Sequence, residues 1–261
     1  MYGMDLSNYQ RKINLEVGKD KYDFCIIKAT EGIGYTDNSF YNYVEQLTRL
    51  NKLIGCYHFA RPDLHQTIDG MQSEANYFYM QIDKAGIIGK AIIVLDWEKP
   101  PFENEELIMS WVNKVEDLTG VKPFIYGSKS KLNDWKNWKL LKEYPVWLAA
   151  YPSIKTFEIA DVLPTAPLTS YEYKIWQYTN NGIYPRYNGR IDLDVARIDR
   201  EEWIKLAAIQ RESMTPAMEW CIDKGIFVGD GNGNYFPKEP LTREQAAQVI
   251  YTIYNKYFVK E

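Results

Sequence analysis

From its first residues to about residue 200, the chain alternates short apolar runs with longer stretches of helical period. The runs are Tyr2–Asp5, Phe24–Lys28, Leu53–His58, Ala91–Glu98, Pro123–Tyr126, Val146–Tyr151, Lys174–Tyr178 and Gly189–Asp194. Each is rich in β-formers and closes on a polar or aromatic residue. Uninterrupted segments such as Ile92–Leu95 belong to strands buried on both faces, the mark of parallel strands covered by helices. Between them, Ser39–Leu50 sets Phe40, Val44 and Leu47 on one helical face. Ile68–Ile82 and Glu105–Leu118 have the same period, the latter opening on acids that favour a helix N-terminus. Leu132–Tyr144 reads as a helix after the fifth run. The period is then lost, and 152–170 carries Pro152, Pro164 and Pro167. Five βα units followed by three strands give an α/β fold, an irregular (β/α)5β3 TIM-like barrel over 1–208 closed by a helix at Glu201–Ala208. In such barrels the strand ends share one mouth and carry the chemistry.

The pattern changes beyond that helix. Residues 209–215 are a polar linker, and 216–261 read as a small all-α helix–loop–helix module. Thr242-x-x-Gln245 is a capping box before a helix with Ala246, Ile250, Ile253 and Tyr257 along one face. A module of this size is near the limit for independent folding. Tyr251, Tyr254, Tyr257 and Phe258 crowd its last helix, so docking on the barrel or a homo-oligomer through this module is expected, with the homo-oligomer favoured.

Composition narrows the classes. A net charge of −4 without a basic cluster argues against nucleic acid as a partner. The longest apolar run, Ala91–Leu95, is far too short to span a membrane. Met1-Tyr2-Gly3-Met4-Asp5 lacks the form of a signal peptide. Cys25, Cys56 and Cys221 lack C-x-x-C spacing, and two of them sit in apolar runs, as buried free thiols do. With 2 histidines there is little to build a metal or histidine-based centre, and no cofactor is expected. The 21 tyrosines and 8 tryptophans offer faces that stack on sugar rings, although most aromatics in any domain are core.

The fourth run supplies the chemistry. In VLDWEKP an apolar strand suddenly presents Asp96 and Glu98, two residues apart and so on one side. Like charges at one mouth raise one another's pKa, and glycoside hydrolysis needs such a carboxyl pair. The first run ends on Asp5 and the eighth carries Asp192 and Asp194; barrel closure makes these runs neighbours, so the acids converge. Magnesium or calcium bridging the cluster is the structural alternative. Lys28, Tyr57, His58, Tyr126, Trp147, Tyr151 and Gln177 end the intervening runs and suit a sugar cleft, with His58 more simply read as a hydrogen-bonded core histidine.

At this point YGMDLSNYQ (2–10), DFCIIKATEG (23–32), GCYHFARP (55–62), IVLDWE (93–98), FIYGSKS (124–130), VWLAAY (146–151), KIWQYT (174–179) and GRIDLDVA (189–196) resemble the glycoside hydrolase family 25 muramidases, in family order. The resemblance implies a β/α barrel that cuts peptidoglycan glycan strands between N-acetylmuramic acid and N-acetylglucosamine with retention. It makes Glu98 the general acid/base, Asp96 its assistant, Asp5 the first-strand acid, and Asp192 the last-strand acid with Asp194 as alternative. It places Tyr57, Tyr126, Trp147, Tyr151 and Gln177 along the saccharide cleft. Attack by a side-chain carboxylate and attack by the substrate's own 2-acetamido group both stay open.

Residues 217–250 resemble one S-layer homology repeat, a module that binds secondary cell-wall polysaccharide, here through Arg243 and Trp220. Glu244-Gln245 replaces the usual Ala-Glu, and one repeat stands where three are usual. The GDGNGN loop is not an EF-hand, since Tyr235 and Leu241 occupy its glycine and glutamate positions. A chitinase-like reading fails on Ala91 and Val94, where D-x-x-D-x-D-x-E needs acids. A non-catalytic wall-binding barrel is opposed by the full set of acids. The expected setting is a phage endolysin, made in the host cytoplasm without a signal peptide and acting on the wall after release; a bacterial autolysin is the alternative.

Overall fold

The computed structural model describes residues 1–152, 156–160, 163–209, 216–227 and 242–258. The chain divides into two compact units, Met1–Gln210 and Arg211–Glu261. The strands described in the first are β1 (Tyr2–Leu6), β2 (Phe24–Glu31), β3 (Tyr35–Thr36), β4 (Leu53–Phe59), β5 (Ala91–Asp96), β6 (Phe124–Ser128), β7 (Val146–Ala149), β8 (Phe157–Glu158), β9 (Ile175–Ile183) and β10 (Ile191–Ala196). Eight of them close a barrel in the order β1-β2-β4-β5-β6-β7-β9-β10, with β1 paired to both β2 and β10. The two-residue strands β3 and β8, which the apolar pattern does not signal, hang on β2 and β9.

The barrel departs from an all-parallel ring at one strand. Neighbours from β1 round to β9 are parallel, whereas β10 is antiparallel to both β9 and β1. Residues 184–190, which link β9 to β10, are too few for a crossover helix, so the chain must turn back as a hairpin.

Helices α1 (Phe40–Arg49), α2 (Ile68–Lys84) and α3 (Glu105–Thr119) cover the wall, each burying one apolar stripe. In α3 that stripe is Leu107, Ile108, Trp111, Val112 and Val115. Asn104 caps its start by accepting from the Leu107 amide, and Gly120 ends it with φ of 66°. The single helix expected at Leu132–Tyr144 is instead α4 (Lys129–Asp134) and α5 (Leu140–Glu143), with Trp135 and Trp138 stacked at 5.0 Å in the break. The first connection holds two 3₁₀ turns, Asn8–Gln10 and Lys19–Lys21.

Strand alternation sorts the side chains. Phe24, Ile26, Leu53, Ile92, Val94, Phe124, Tyr126, Trp147 and Ile175 fill the interior. Met4, Cys25, Ile27, Cys56, Ile93, Leu95 and Leu148 pack outward with the helices. Gly3 gives the interior room, since a Cβ there would stand 2.3 Å from the Phe24 ring. Helix α6 (Arg200–Ala207) floors the barrel: Trp203 and Ala207 join the interior cluster, and Trp203 meets Phe24 at 4.7 Å between ring centres.

The second unit shows α7 (Pro216–Asp223) and α8 (Arg243–Tyr257). Thr242 and Gln245 form the expected capping box. Trp220 stacks on Tyr257 at 6.2 Å, but no α8 side chain is buried among the described residues. Linker residues 210–215 and the loop 229–234 lie outside the described residues.

Removing the floor should be costly. Trp203→Ala is expected to lower unfolding free energy by about 3–5 kcal/mol in guanidinium titrations followed by circular dichroism. A loss under about 1 kcal/mol would show that α6 does not seal the interior.

Candidate active site

Inward positions at the mouth come from strand ends: Asp5 on β1, Lys28 on β2, Tyr57 on β4, Asp96 on β5, Tyr126 on β6 and Gln177 on β9. Because β10 runs the other way, its first half reaches the mouth. Asp192 pairs with Asp5, while Asp194 pairs with Gly3 one step deeper. Both β10 acids therefore share the Asp5 face, with Asp192 level with it.

Gln177 is the hub of this wall. Its amide nitrogen donates to Asp5 Oδ2 at 2.7 Å, and its carbonyl oxygen accepts from Tyr126 and Tyr151 at 2.9 and 2.6 Å. Trp147 donates its indole N–H to Asp194 Oδ1 at 2.8 Å, and among the described residues Asp194 Oδ2 is buried without a hydrogen-bond donor. Burial, then the charges of Asp192 and Asp194, push the Asp5 carboxyl well above its usual range. Burial does the same to Asp194, with Asp192 adding to it. Burial brings Asp192 up to about 6. Trp147 and Gln177, expected along the cleft, are thus 2% exposed and engaged with carboxylates. Tyr151 is the exposed member of the set at 46%, Tyr57 is half-buried, and Tyr126 packs its ring 4.5 Å from Trp147.

The carboxyl pair is arranged differently from two alternate positions of one strand. β5 ends at Asp96, where pairing to β6 also stops, and Pro100-Pro101 follow. Asp96 is buried inward and Trp97 is buried among the outer core, while Glu98 stands exposed in the loop. Burial, then Glu98, push the Asp96 carboxyl well up, against the lowering pull of Lys28 and Lys131. Among the described residues, Asp96 Oδ1 is buried with no hydrogen-bond partner. Glu98 also acts on Asp192, so Asp96, Glu98, Asp192 and Asp5 form one electrostatic group.

Other candidates fall outside that group. His58 points into the outer core, bonded to Thr30 at 2.7 Å and Glu74 at 2.7 Å, stacked on Trp111 at 5.3 Å. Glu74, fully buried, also takes His65 at 2.6 Å; burial would raise its pKa, but the two histidines hold it low. Arg243 and Trp220 are exposed on the second unit. Sequence reasoning missed Lys131, which donates to the Trp97 carbonyl at 2.6 Å; nothing in its local pattern points to the mouth. Among the described residues, no group of three or more His, Cys, Asp or Glu is arranged to hold a metal ion.

Comparison with known proteins gives two family matches. The description "Glycosyl hydrolases family 25" fits residues 4–187, and "S-layer homology domain" fits residues 210–247. The autolytic lysozyme of Clostridium acetobutylicum is 26% identical over 198 residues, covering 74% of this chain and 55% of that protein. The bacterial lysozyme from Streptomyces coelicolor superposes with a TM-score of 0.64 at 23% identity, over 81% of this chain and 98% of its own. The CTP1L endolysin gives 0.62 at 20% identity, over 97% of this chain and 99% of its own. These last two likenesses establish the fold.

The raised acids carry a stability cost that can be measured. The folded state binds the Asp192 proton more tightly than the unfolded chain, so stability falls as pH rises from the usual carboxylate range through about 6. Asp192→Asn is expected to melt at the same temperature as the parent at pH 4 and several degrees higher at pH 7. Equal melting at both pH values would contradict the burial of that charge.

Proposed function

The chain belongs to glycosyl hydrolases family 25, and from that membership we propose that it cleaves the β-1,4 bond between N-acetylmuramic acid and N-acetylglucosamine in peptidoglycan, with Glu98 as general acid/base and Asp96 assisting. One observation carries the reading: acids from β1, β5 and β10 meet at a mouth walled by tyrosines. Glu98, exposed beyond the strand, is the member that can reach the glycosidic oxygen and deliver a proton. Asp96 lies deeper, its free Oδ1 suited to accept the N–H of the 2-acetamido group on the sugar being cut. In its ionised form it would orient that group to attack the anomeric carbon and stabilise the charge that develops. Asp5 and Asp192 tune this pair through their charge, while Tyr57 and Tyr151 offer ring faces to the sugars.

For the second unit we propose binding of secondary cell-wall polysaccharide. The S-layer homology match and the exposure of Arg243 and Trp220 support it. Self-association through α8 is part of the same proposal, because Ile250, Tyr251 and Phe258 are each more than 60% exposed, at 67%, 63% and 71%. Paired tails would add avidity for a repeating polymer. The setting proposed is wall lysis after release from the host cytoplasm, in line with the likeness to the CTP1L endolysin. The autolytic relative supports an autolysin as the second reading.

Glu98→Gln keeps shape but cannot give up a proton, so release of muropeptides from purified walls should fall by about 10²–10⁴-fold or more. Near-normal release by the folded variant would refute the assignment. Asp96→Asn should lose as much, Asp5→Asn less. Glycan with free 2-amino groups should resist cleavage; equal rates on it and on acetylated glycan would return the nucleophile's role to a carboxylate. Light scattering should find the full chain oligomeric and a chain ending at Ala208 monomeric, and a monomeric full chain at micromolar concentration would overturn self-association.

A further inference from the structure

We propose that Lys131 is a positioning residue for the carboxyl pair, fixing the peptide that joins Asp96 to Glu98 and holding a cation beside both. The inference rests on the roles given above to those two acids. Trp97 stands between them in sequence, and its carbonyl lies past the last β5–β6 pairing, Asp96 with Tyr126. Lys131, three residues beyond the end of β6, supplies the donor that the sheet no longer provides, at 2.6 Å from that oxygen.

Among the described residues, the Glu98 carboxylate accepts no hydrogen bond, so its place in the mouth depends on the backbone that carries it. That backbone is tied at two points. The Trp97 indole donates to the Pro101 carbonyl at 3.0 Å, and the Lys131 ammonium both binds the Trp97 carbonyl and lies 4.9 Å from the Phe102 ring centre. Without the ammonium, the peptide leading into Glu98 loses its hydrogen-bonded anchor.

Lys131 also sits where stability alone would not put a lysine. It is the third residue of the six-residue α4, its amide donating to the Ser128 cap. Its side chain is half-buried, and burial lowers its pKa while Glu98 and Asp96 pull it back up. A lysine directed to solvent would avoid that desolvation. Turned inward, it opposes the upward push that burial gives the Asp96 carboxyl. The groups acting on or facing Asp96 are Glu98 on its own segment, Lys28 and Glu31 on β2, Tyr57 on β4, Tyr126 on β6 and Lys131 itself.

Steady-state kinetics on solubilised glycan strands, with Lys131→Met, Lys131→Arg and Glu98→Gln compared after circular dichroism shows each to be folded, test the inference. Lys131→Met should lower kcat about tenfold with KM changed less than about twofold, since the reacting geometry and not sugar binding is disturbed. The acid limb of its kcat/KM profile should move to higher pH, because Asp96 loses a cation that favours its ionised form. Lys131→Arg should restore the limb and most of kcat. A normal kcat and an unmoved limb in Lys131→Met, beside an inactive Glu98→Gln, would overturn the role of Lys131 alone. A loss with an unmoved limb that arginine does not restore would reduce Lys131 to a structural part and overturn it too. An active Glu98→Gln would overturn the carboxyl assignment, and this inference with it.

Discussion

Asp5 and Asp194 are held inside the wall of a closed barrel, with Asp192 beside them at the rim, and much of the surrounding sequence answers to that burial. An ionised carboxylate removed from water is unstable unless donors or protons compensate it. Here the donors are few and specific: the Gln177 amide for Asp5 and the Trp147 indole for Asp194. Tyr126 and Tyr151 fix Gln177 by donating to its carbonyl, which turns its N–H toward Asp5. Beyond those donors, burial disfavours the charged form, hence the upward shifts. The mouth can thus hold acids ready to exchange protons with a substrate at pH values where exposed carboxyls are all ionised.

The outer shell keeps that arrangement isolated. Glu74, on α2, takes both histidines of the chain and the Arg61 amide, so neither imidazole is free to serve the mouth. Arg61 pairs with Glu31 at 3.0 Å, and Glu31 with Lys28 at 2.7 Å, which carries the network to the edge of the acidic group. Trp97, packed in the outer core, separates an inward acid from an exposed one within three residues. One face of the β5 loop anchors it while the other presents chemistry.

What the sequence made legible follows from these roles. Continuous apolar runs such as Ile92–Leu95 announce strands buried on both sides, and the other barrel strands are legible as short β-rich runs that close on a polar or aromatic residue. The direction of β10 was not, because alternation along a strand is the same in either sense; only the short link 184–190 carries the information. Reading β5 through Glu98 extended a period-two pattern past the point where pairing ends. Trp147 and Gln177 are of the types that line sugar clefts, yet type alone does not tell a side chain that meets substrate from one that serves an acid. Lys131 lies in a polar helix start, and its contact with the Trp97 carbonyl exists only once β5 and β6 are side by side.

Burial raises the affinity of the mouth's carboxyl groups for protons. Carbon-13 NMR of protein labelled at aspartate carboxyls, titrated from pH 3 to 8 with Asp5→Asn, Asp192→Asn and Asp194→Asn used to assign the signals, measures this directly. It should find Asp192 changing protonation at about 6, with Asp5 and Asp194 both well above the usual carboxylate range. Three aspartates all titrating near about pH 4, as exposed side chains do, would contradict it.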